Sequence, residues 1–121
     1  MVITATNKGV CGSNYVPESG DIVWVDFTPQ SGHEQKGRRP ALILSPAIYN
    51  AKSGLCICAP ITSRIKGYPF EVALMLEKPS VVLSDQIKSI DFRARNAEFF
   101  KKADESTMQE FRSSIMQLLG V

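Results

Sequence analysis

The chain has 121 residues, with 14 Lys or Arg against 12 Asp or Glu, so its formal net charge is +2. With 44% hydrophobic residues it indicates one globular domain, since about 120 residues bury roughly two-thirds of their unfolded surface but do not supply two independent cores. This composition excludes a chain disordered throughout, a collagen and a coiled coil. No apolar run approaches the roughly 20 residues of a membrane span, and residues 1–14 lack the apolar core of a secretory signal. We therefore expect a cytoplasmic protein without a membrane partner.

The first 14 residues are polar and show no period. We interpret them as a disordered tail, a different start site or a cloning remnant, and residues 15–121 as a single domain. Short runs rich in Val, Ile, Trp and Phe then alternate with turn signals, which predicts strands over residues 21–28, 39–45, 55–61, 70–76, 81–83, 86–90 and 97–101. The pair 81–83 and 86–90 is also compatible with one strand that bends at Ser84 and Asp85.

Near the C-terminus the spacing of apolar residues changes from the two-residue period of a strand to the period of a helix. The helical spacing is carried by Met108, Phe111, Ile115 and Leu118. Asp104 or Ser106 can cap the start, and Gly120 stands where a helix end favours glycine. We therefore expect a mostly β fold, a small barrel or twisted antiparallel sheet, with a C-terminal helix packed on it.

The potential metal ligands are scattered. Cys11, Cys56, Cys58 and His33 show no Cys-x-x-Cys or His-x-His spacing, so we predict neither a metal site nor a cofactor. Cys56 and Cys58 lie two apart in a buried strand and are interpreted as reduced core residues. Trp24 and Phe27 are assigned to the core or to a dimer surface.

Positive charge is concentrated in one part of the chain. No acidic residue lies between Glu34 and Glu71, and six bases there give a local charge of +6: Lys36, Arg38, Arg39, Lys52, Arg64 and Lys66. A basic lobe of this kind suits a polyanionic ligand such as a nucleic acid. The alternative interpretation is a set of solvated loop charges.

Two connections, residues 28–37 and 62–69, are polar and long enough to carry function. No carboxylate cluster lies near the basic lobe, so a two-metal nuclease has no ligand set there. Metal-free cleavage of RNA is feasible, because the 2′-hydroxyl of the ribose is a nucleophile within the substrate. Suitable groups for such a reaction are His33, Glu34, Arg39, Thr62 and Ser63.

The local sequence favours a role in phosphate or base binding for some of these loop residues and leaves an alternative open for others. Arg39 precedes a proline, which favours an extended backbone, and its guanidinium can hold a phosphate in a bidentate manner. His33 is also compatible with a solvated loop residue, and Glu34 with a surface ion pair to Arg38 or Lys36. Tyr68, beside Lys66, is the best candidate for stacking on a base.

Four segments together resemble the MazF/PemK family of toxin endoribonucleases, the mRNA interferases. They are Gly20-Asp21-Ile22-Val23-Trp24-Val25-Asp26-Phe27-x-Pro29, then Gly32-His33-Glu34-Gln35-x-Gly37-x-Arg39-Pro40-Ala41, then Ala59-Pro60-Ile61-Thr62, and Asp85-Gln86-Ile87-Lys88-Ser89-Ile90-Asp91. The resemblance extends in unbroken order over about residues 15–120.

The resemblance implies a homodimer of SH3-like β-barrels, of the type shared by MazF, PemK and CcdB, with a C-terminal helix. It implies the toxin of a type II toxin-antitoxin system, a metal-independent and sequence-specific endoribonuclease. Such toxins cleave single-stranded mRNA and leave 2′,3′-cyclic phosphate and 5′-hydroxyl ends. The implied partner is a cognate antitoxin with an acidic tail, through which the complex binds promoter DNA.

By the same resemblance, the catalytic residues are Arg39, Thr62 and Glu34, with Glu34 as general base or as orienter of its loop. The substrate contacts are His33, Gln35, Lys36, Ser63, Lys66, Tyr68, Asp85 and Gln86. One branch of the family pairs the loop histidine and the aspartate with an arginine two residues before that aspartate. Leu83 stands at this position here, so the mechanism of that branch is not transferred whole.

Two other functions are compatible with the same barrel. A sister family poisons DNA gyrase through an apolar C-terminal tail that contains tryptophan, whereas this chain ends in Leu118-Leu119-Gly120-Val121. A nucleic-acid-binding barrel without catalysis is the other alternative, and its binding would weaken steeply with salt.

Overall fold

The computed structural model of the protein describes residues 14–27 and 37–121. The described chain is mostly strand and ends in a helix, as predicted. Its elements are β1 (Asp21–Asp26), β2 (Arg38–Ile43), α1 (Ala47–Ser53), β3 (Leu55–Thr62), β4 (Glu71–Met75), β5 (Pro79–Leu83), a 3-10 turn (Ser84–Gln86), β6 (Lys88–Asp91), β7 (Glu98–Lys102) and α2 (Glu105–Leu119). The observed strand bounds lie within about two residues of the predicted ones.

The strands form one curled antiparallel sheet in the order β4-β5-β3-β2-β1-β7, with β6 paired to β3. The eight-residue strand β3 is central to it. β2 lies along one edge of β3, while β6 and then β5 pair with the other edge, at its start and its end respectively. Because one strand serves two successive neighbours, the sheet curls into a half-barrel.

The 3-10 turn explains why β5 and β6 are two strands. Ser84 at the start of this turn donates from its backbone N–H and from its hydroxyl to the carbonyl oxygen of Phe70, at 3.3 and 2.6 Å. These bonds end the β4–β5 ladder, after which the chain turns and β6 pairs with the start of β3. The alternative of a single bent strand is therefore wrong.

Helix α1 was not predicted. It spans seven residues between Pro46 and Gly54, too few to show an apolar period. Asn50 anchors it, since its side-chain amide donates to the carbonyl oxygens of Pro17 and Ser45 at 2.8 and 3.0 Å. A buried polar side chain of this kind supplies local hydrogen bonds that no hydrophobic pattern reveals.

Both faces of the sheet are buried at its centre. One face carries a cluster that includes Val23, Val25, Ile43 and the two cysteines, and Tyr15 and Phe92 pack against it. The other face carries Ile22, Leu42, Ala59 and Ile61, which pack with α2. Cys56 and Cys58 are free and fully buried, which confirms their assignment to the core.

Helix α2 buries Met108, Phe111 and Ile115 against the sheet, as predicted. Leu118 was expected on the same face, but it is 50% exposed. At about 100° per residue Leu118 lies about 80° from Met108, at the margin of the apolar stripe and in the last turn of the helix.

Asp104, and not Ser106, is the N-cap of α2. Its carboxylate accepts hydrogen bonds from the backbone N–H and the hydroxyl of Thr107, at 3.4 and 2.7 Å. The hydroxyl bond is the main reason why the pKa of Asp104 is below its usual value. Gly120 ends the helix with a φ of 78°, which a residue with a side chain adopts only at a cost. No helix in the described ranges is long and apolar enough to cross a bilayer.

A fully buried carboxylate, Asp21, ties the start of the domain to the sheet. It accepts hydrogen bonds from the Tyr15 hydroxyl at 2.5 Å and the Glu18 backbone N–H at 3.0 Å, and it pairs with the Lys102 ammonium at 3.0 Å. Burial, together with this carboxylate, raises the pKa of Tyr15 far above its usual value. The charge of Asp21 is thus balanced within the protein.

We expect Asp21→Asn to lower the free energy of unfolding by about 2–4 kcal/mol, because the amide removes the ionic partner of Lys102 and places N–H groups against donors. Urea denaturation with linear extrapolation measures the change. Glu110→Gln, which neutralises an exposed carboxylate on α2, is the matched control and should shift stability by less than about 0.5 kcal/mol. Equal stability of the two variants would contradict the anchoring role of Asp21.

Candidate active site

The pairing register brings Arg39 and Thr62 together. β2 and β3 pair through Ala41↔Pro60, Leu42↔Ala59 and Ile43↔Cys58. Continued by two residues, the same register sets Arg39 opposite Thr62. Directly opposed residues of an antiparallel pair lie on the same face, with Cβ atoms about 5 Å apart. Two residues predicted from separate segments therefore meet at one end of the sheet.

Arg39 and Thr62 line two cavities. The larger, of about 370 Å³, is called here the polar cavity, and its wall also includes Arg64, Lys66, Tyr68, Asp85 and Gln86. The smaller, of about 250 Å³, is called the aromatic cavity, and its wall includes Trp24, Pro40, Ile61, Ser63 and Phe100. The two cavities thus meet at the Arg39–Thr62 pair.

The second loop, residues 62–69, is held in shape by its own hydrogen bonds. The Glu71 carboxylate accepts from the backbone N–H groups of Lys66 and Gly67, the latter at 2.8 Å. Gly67 has a φ of 84°, which few other residues adopt at low cost. Tyr68 stacks at a tilt on Phe70, with ring centroids 5.2 Å apart. The polar cavity therefore has a preorganised rim.

The Thr62 hydroxyl is available as a donor. Its oxygen accepts a hydrogen bond from the backbone N–H of Arg64 at 3.0 Å. This bond orients the side chain but leaves the hydroxyl hydrogen without an acceptor among the residues of 14–27 and 37–121. A hydroxyl held in this way can donate to an anionic oxygen beside it.

The two neighbouring arginines have different surroundings. Arg38 donates to the carboxylates of Asp26 and Glu98, at 3.0 and 3.3 Å, and to the carbonyl oxygens of Trp24 and Asn96. Hydrogen bonds from Asn96, and then from Arg38, hold the pKa of Asp26 below its usual value. Arg39 is half-buried and makes no side-chain hydrogen bond with any described residue. Arg39 is thus the arginine whose guanidinium remains available to a ligand.

The +6 lobe is therefore not one surface. The positive charge of Arg38 is matched by carboxylates, and Lys52 lies on α1 and lines neither cavity. Arg39, Arg64 and Lys66 do share the polar cavity, but with the carboxylates of Glu71 and Asp85. Glu71 marks the end of the acid-free stretch and Asp85 was predicted as a substrate contact, but neither carboxylate was counted against the charge of the lobe.

The structure brings together seven of the predicted site residues. Arg39 and Thr62 line both cavities; Ser63 lines the aromatic cavity; Lys66, Tyr68, Asp85 and Gln86 line the polar cavity. Leu83 also lines the polar cavity, so its wall is apolar where one branch of the family carries arginine. The remaining candidates, His33, Glu34, Gln35 and Lys36, lie outside the described residues.

Several cavity residues were not predicted as part of the site, and three of them matter most. Trp24 and Phe100 are a tilted aromatic pair with centroids 5.3 Å apart, and Arg64 lies in the second loop. Arg64 is adjacent to the chosen Ser63 and was counted in the basic lobe. The role of Phe100 depends on the β1–β7 pairing, a contact across about 75 residues that carries no local signal. In residues 14–27 and 37–121, no three His, Cys, Asp or Glu side chains form a group that could hold a metal ion.

Comparison with known proteins agrees with this architecture. Residues 18–119 match the family model described as the PemK-like, MazF-like toxin of type II toxin-antitoxin systems. The chain is 49% identical over 109 residues to the endoribonuclease toxin MazF of Escherichia coli K12, a match that covers 89% of this chain and 98% of that protein.

Solved structures give the same result. A crystal structure of MazF from Deinococcus radiodurans superposes with a TM-score of 0.79 at 51% identity and covers 88% of this chain and 99% of that one. A MazE–MazF crystal structure from the same organism gives 0.81 at 51% identity, with 88% and 98% of the two chains covered. The predicted barrel type and the family resemblance are confirmed: the chain belongs to the PemK-like, MazF-like toxins of type II toxin-antitoxin systems.

Proposed function

We propose that this protein is a toxin that cleaves single-stranded mRNA at short specific sequences, without a metal ion, by attack of the ribose 2′-hydroxyl on the adjacent phosphate. The products are a 2′,3′-cyclic phosphate and a 5′-hydroxyl. Its class, an endoribonuclease, follows the name of a relative that is 49% identical over nearly its whole length. The observation that carries the mechanism is that Arg39 and Thr62 both line two adjoining cavities at one end of the sheet.

Arg39 and Thr62 act on the phosphate. As the 2′-oxygen attacks, the five-coordinate phosphorus gains negative charge on its non-bridging oxygens. The Arg39 guanidinium and the Thr62 hydroxyl hydrogen have no partner among the described residues, and they stabilise this charge more than that of the ground state. Both groups project from paired strands, so little reorganisation is needed during the reaction.

The first loop takes part in the proton transfers. This loop, residues 28–37, connects β1 to β2. The facing ends of the two strands, Asp26 and Arg38, are paired in register, and Arg39 follows directly. Glu34 takes the proton of the 2′-hydroxyl or orients the loop, and His33, Gln35 and Lys36 contact the RNA. As the bond between phosphorus and the 5′-oxygen breaks, the leaving 5′-oxygen takes a proton from water and departs as the 5′-hydroxyl. General acid–base groups of this kind contribute about 10²- to 10⁴-fold to a rate.

The polar cavity holds RNA on one side of the reacting phosphate. Tyr68 offers an exposed ring for stacking, and Lys66 offers an ammonium to a neighbouring phosphate. Asp85 and Gln86 present acceptors and donors to base edges, and Ser63 contacts the substrate from the other cavity. The single-stranded form is required because only unpaired bases expose these edges and faces.

We further propose that the toxin is a cytoplasmic homodimer neutralised by a cognate antitoxin. The relative from Deinococcus radiodurans has been crystallised as a MazE–MazF complex, which supports this partner. An acidic antitoxin tail would compete with RNA for Arg39, Arg64 and Lys66 in the polar cavity. Promoter DNA would be bound only through the antitoxin.

We expect Arg39→Ala to lower the cleavage rate about 10²- to 10³-fold, the effect of removing one preorganised donor to a developing oxyanion. The thermal midpoint should change little, because Arg39 makes no side-chain hydrogen bond with residues 14–27 or 37–121. Arg112→Ala is the control with the same charge change; it lies on α2 outside both cavities, and its guanidinium makes a hydrogen bond to Ser19. Single-turnover cleavage of a fluorescent RNA measures both variants, and undiminished cleavage by a folded Arg39→Ala protein would contradict the site.

An RNA with a 2′-deoxy sugar at the nucleotide preceding the cut should not be cleaved, because the nucleophile is missing. The all-ribose RNA should be cleaved equally with and without excess chelator and should carry 2′,3′-cyclic ends detectable by mass spectrometry. Cleavage of the deoxy substrate, or loss of activity in chelator, would contradict the proposed chemistry. Trapping of gyrase or simple binding, with no RNA cut, would instead favour one of the two alternative functions.

A further inference from the structure

We infer that the aromatic cavity is a nucleobase subsite: Trp24 and Phe100 hold one base next to the scissile phosphate and thereby select the nucleotide at that position. The inference rests on the proposed function for its ligand, single-stranded RNA. It adds a second base-binding wall, separate from Tyr68, which lines the other cavity.

The sheet builds the floor of this cavity. Trp24 is paired with Pro40, and the β2–β3 register, continued, sets Ile61 opposite Pro40. The three side chains form one cross-strand row on the sheet face that carries Ile22 and Leu42. Arg39 and Thr62 belong to the next row, which faces the other side, and they join the wall of this cavity at the end of the sheet. Phe100 on β7 adds a second ring, inclined at 43° to the indole. The result is an apolar slot of about 250 Å³ with two aromatic walls, the kind of surface on which bases stack.

The rim of the slot offers hydrogen-bond donors. The Trp24 indole N–H and the Ser63 hydroxyl have no hydrogen-bond partner among the residues that the structure describes. Glu77 and Lys78, in the turn between β4 and β5, also line the cavity, so its rim carries one carboxylate acceptor as well. Lys78 forms no ion pair with any described residue. Because a base has an apolar face and polar edges, an aromatic slot bordered by donors suits a base better than it suits an aliphatic side chain.

The position of the slot defines which nucleotide it reads. Its wall includes Arg39 and Thr62, so a base in the slot belongs to a nucleotide next to the phosphate that these residues hold. The polar cavity shares the same pair and receives the chain on the other side. A flexible single strand can therefore place one nucleotide in each cavity.

The subsite can be observed directly, because Trp24 is the only tryptophan of the chain. The wild-type protein is titrated with an RNA made uncleavable by one 2′-deoxy sugar, while tryptophan fluorescence is recorded. A base stacked on the indole should quench the emission. A series of RNAs with one abasic site each should lose the quenching at a single position beside the cut. Equal quenching by every member of the series, or none by the intact RNA at saturation, would overturn the inference.

Variants test the role in selection. Trp24→Ala should raise KM about 5- to 150-fold, the range for one stacked base, with a much smaller change in kcat. It should also flatten base preference at that one position when fragment ends from a random RNA pool are sequenced. Trp24→Phe should restore both, and Phe100→Leu should weaken preference at the same position. Tyr49→Ala removes an exposed ring on α1, outside both cavities, and should have no effect.

The outcomes separate this inference from the proposed function. Cleavage with unaltered base preference in folded Trp24→Ala and Phe100→Leu proteins would overturn the subsite and leave the enzyme intact. Quenching that depends on one base, without cleavage of the all-ribose RNA, would support the subsite and contradict the endoribonuclease.

Discussion

The register between β2 and β3 is the constraint on which the site depends. Side chains alternate between the two faces of a sheet, so a shift of one residue would move Arg39 away from Thr62 and turn one of them to the opposite face. The core prevents such a shift. Ala41 and Ile43 on one face, and Leu42 on the other, are fully buried in two separate clusters, and exchanging faces would put side chains of the wrong size into both. The packing of the core thus determines which polar residues meet at the end of the sheet.

A second consequence of strand alternation is that two adjacent arginines point to opposite faces and have different partners. Arg38 joins β1, β2 and the start of β7 through Asp26, the Trp24 carbonyl and Glu98. Its neighbour Arg39 points to the other face and keeps its guanidinium for a ligand. Arg38 holds the backbone at the entrance to the first loop, and it thereby helps to fix the position of Arg39. Two identical side chains one residue apart therefore have different tasks.

Much of the fold could be predicted from local patterns. Short apolar runs between turn signals located the strands, and the helical spacing of apolar residues with the capping signals at Asp104 and Gly120 located α2, because these features depend on neighbours in sequence. Helix α1 was missed, since it is stabilised by the hydrogen bonds of one buried residue, Asn50, to distant backbone. Leu118 was misplaced because a sequence period does not say how far the sheet extends beneath a helix.

The candidate site, like the fold, was predicted where the signal is local and missed where it depends on distant residues. Arg39 and Thr62 stood out locally, one before a proline and the other in a basic loop after a buried strand. The partners of Arg38 and the Trp24–Phe100 pair could not be found in this way, because they come from strands joined only by long-range pairing. The basic lobe was overestimated for that reason: charge along the chain was counted without the carboxylates that folding brings to it.

The account is tested most directly by the structure of the protein bound to an RNA with a single 2′-deoxy sugar at the cleavage position. It predicts that the non-bridging oxygens of the uncleaved phosphate lie within about 2.7–3.2 Å of both the Arg39 guanidinium and the Thr62 hydroxyl. A phosphate bound by only one of these groups, or an RNA path that avoids the two cavities, would contradict it.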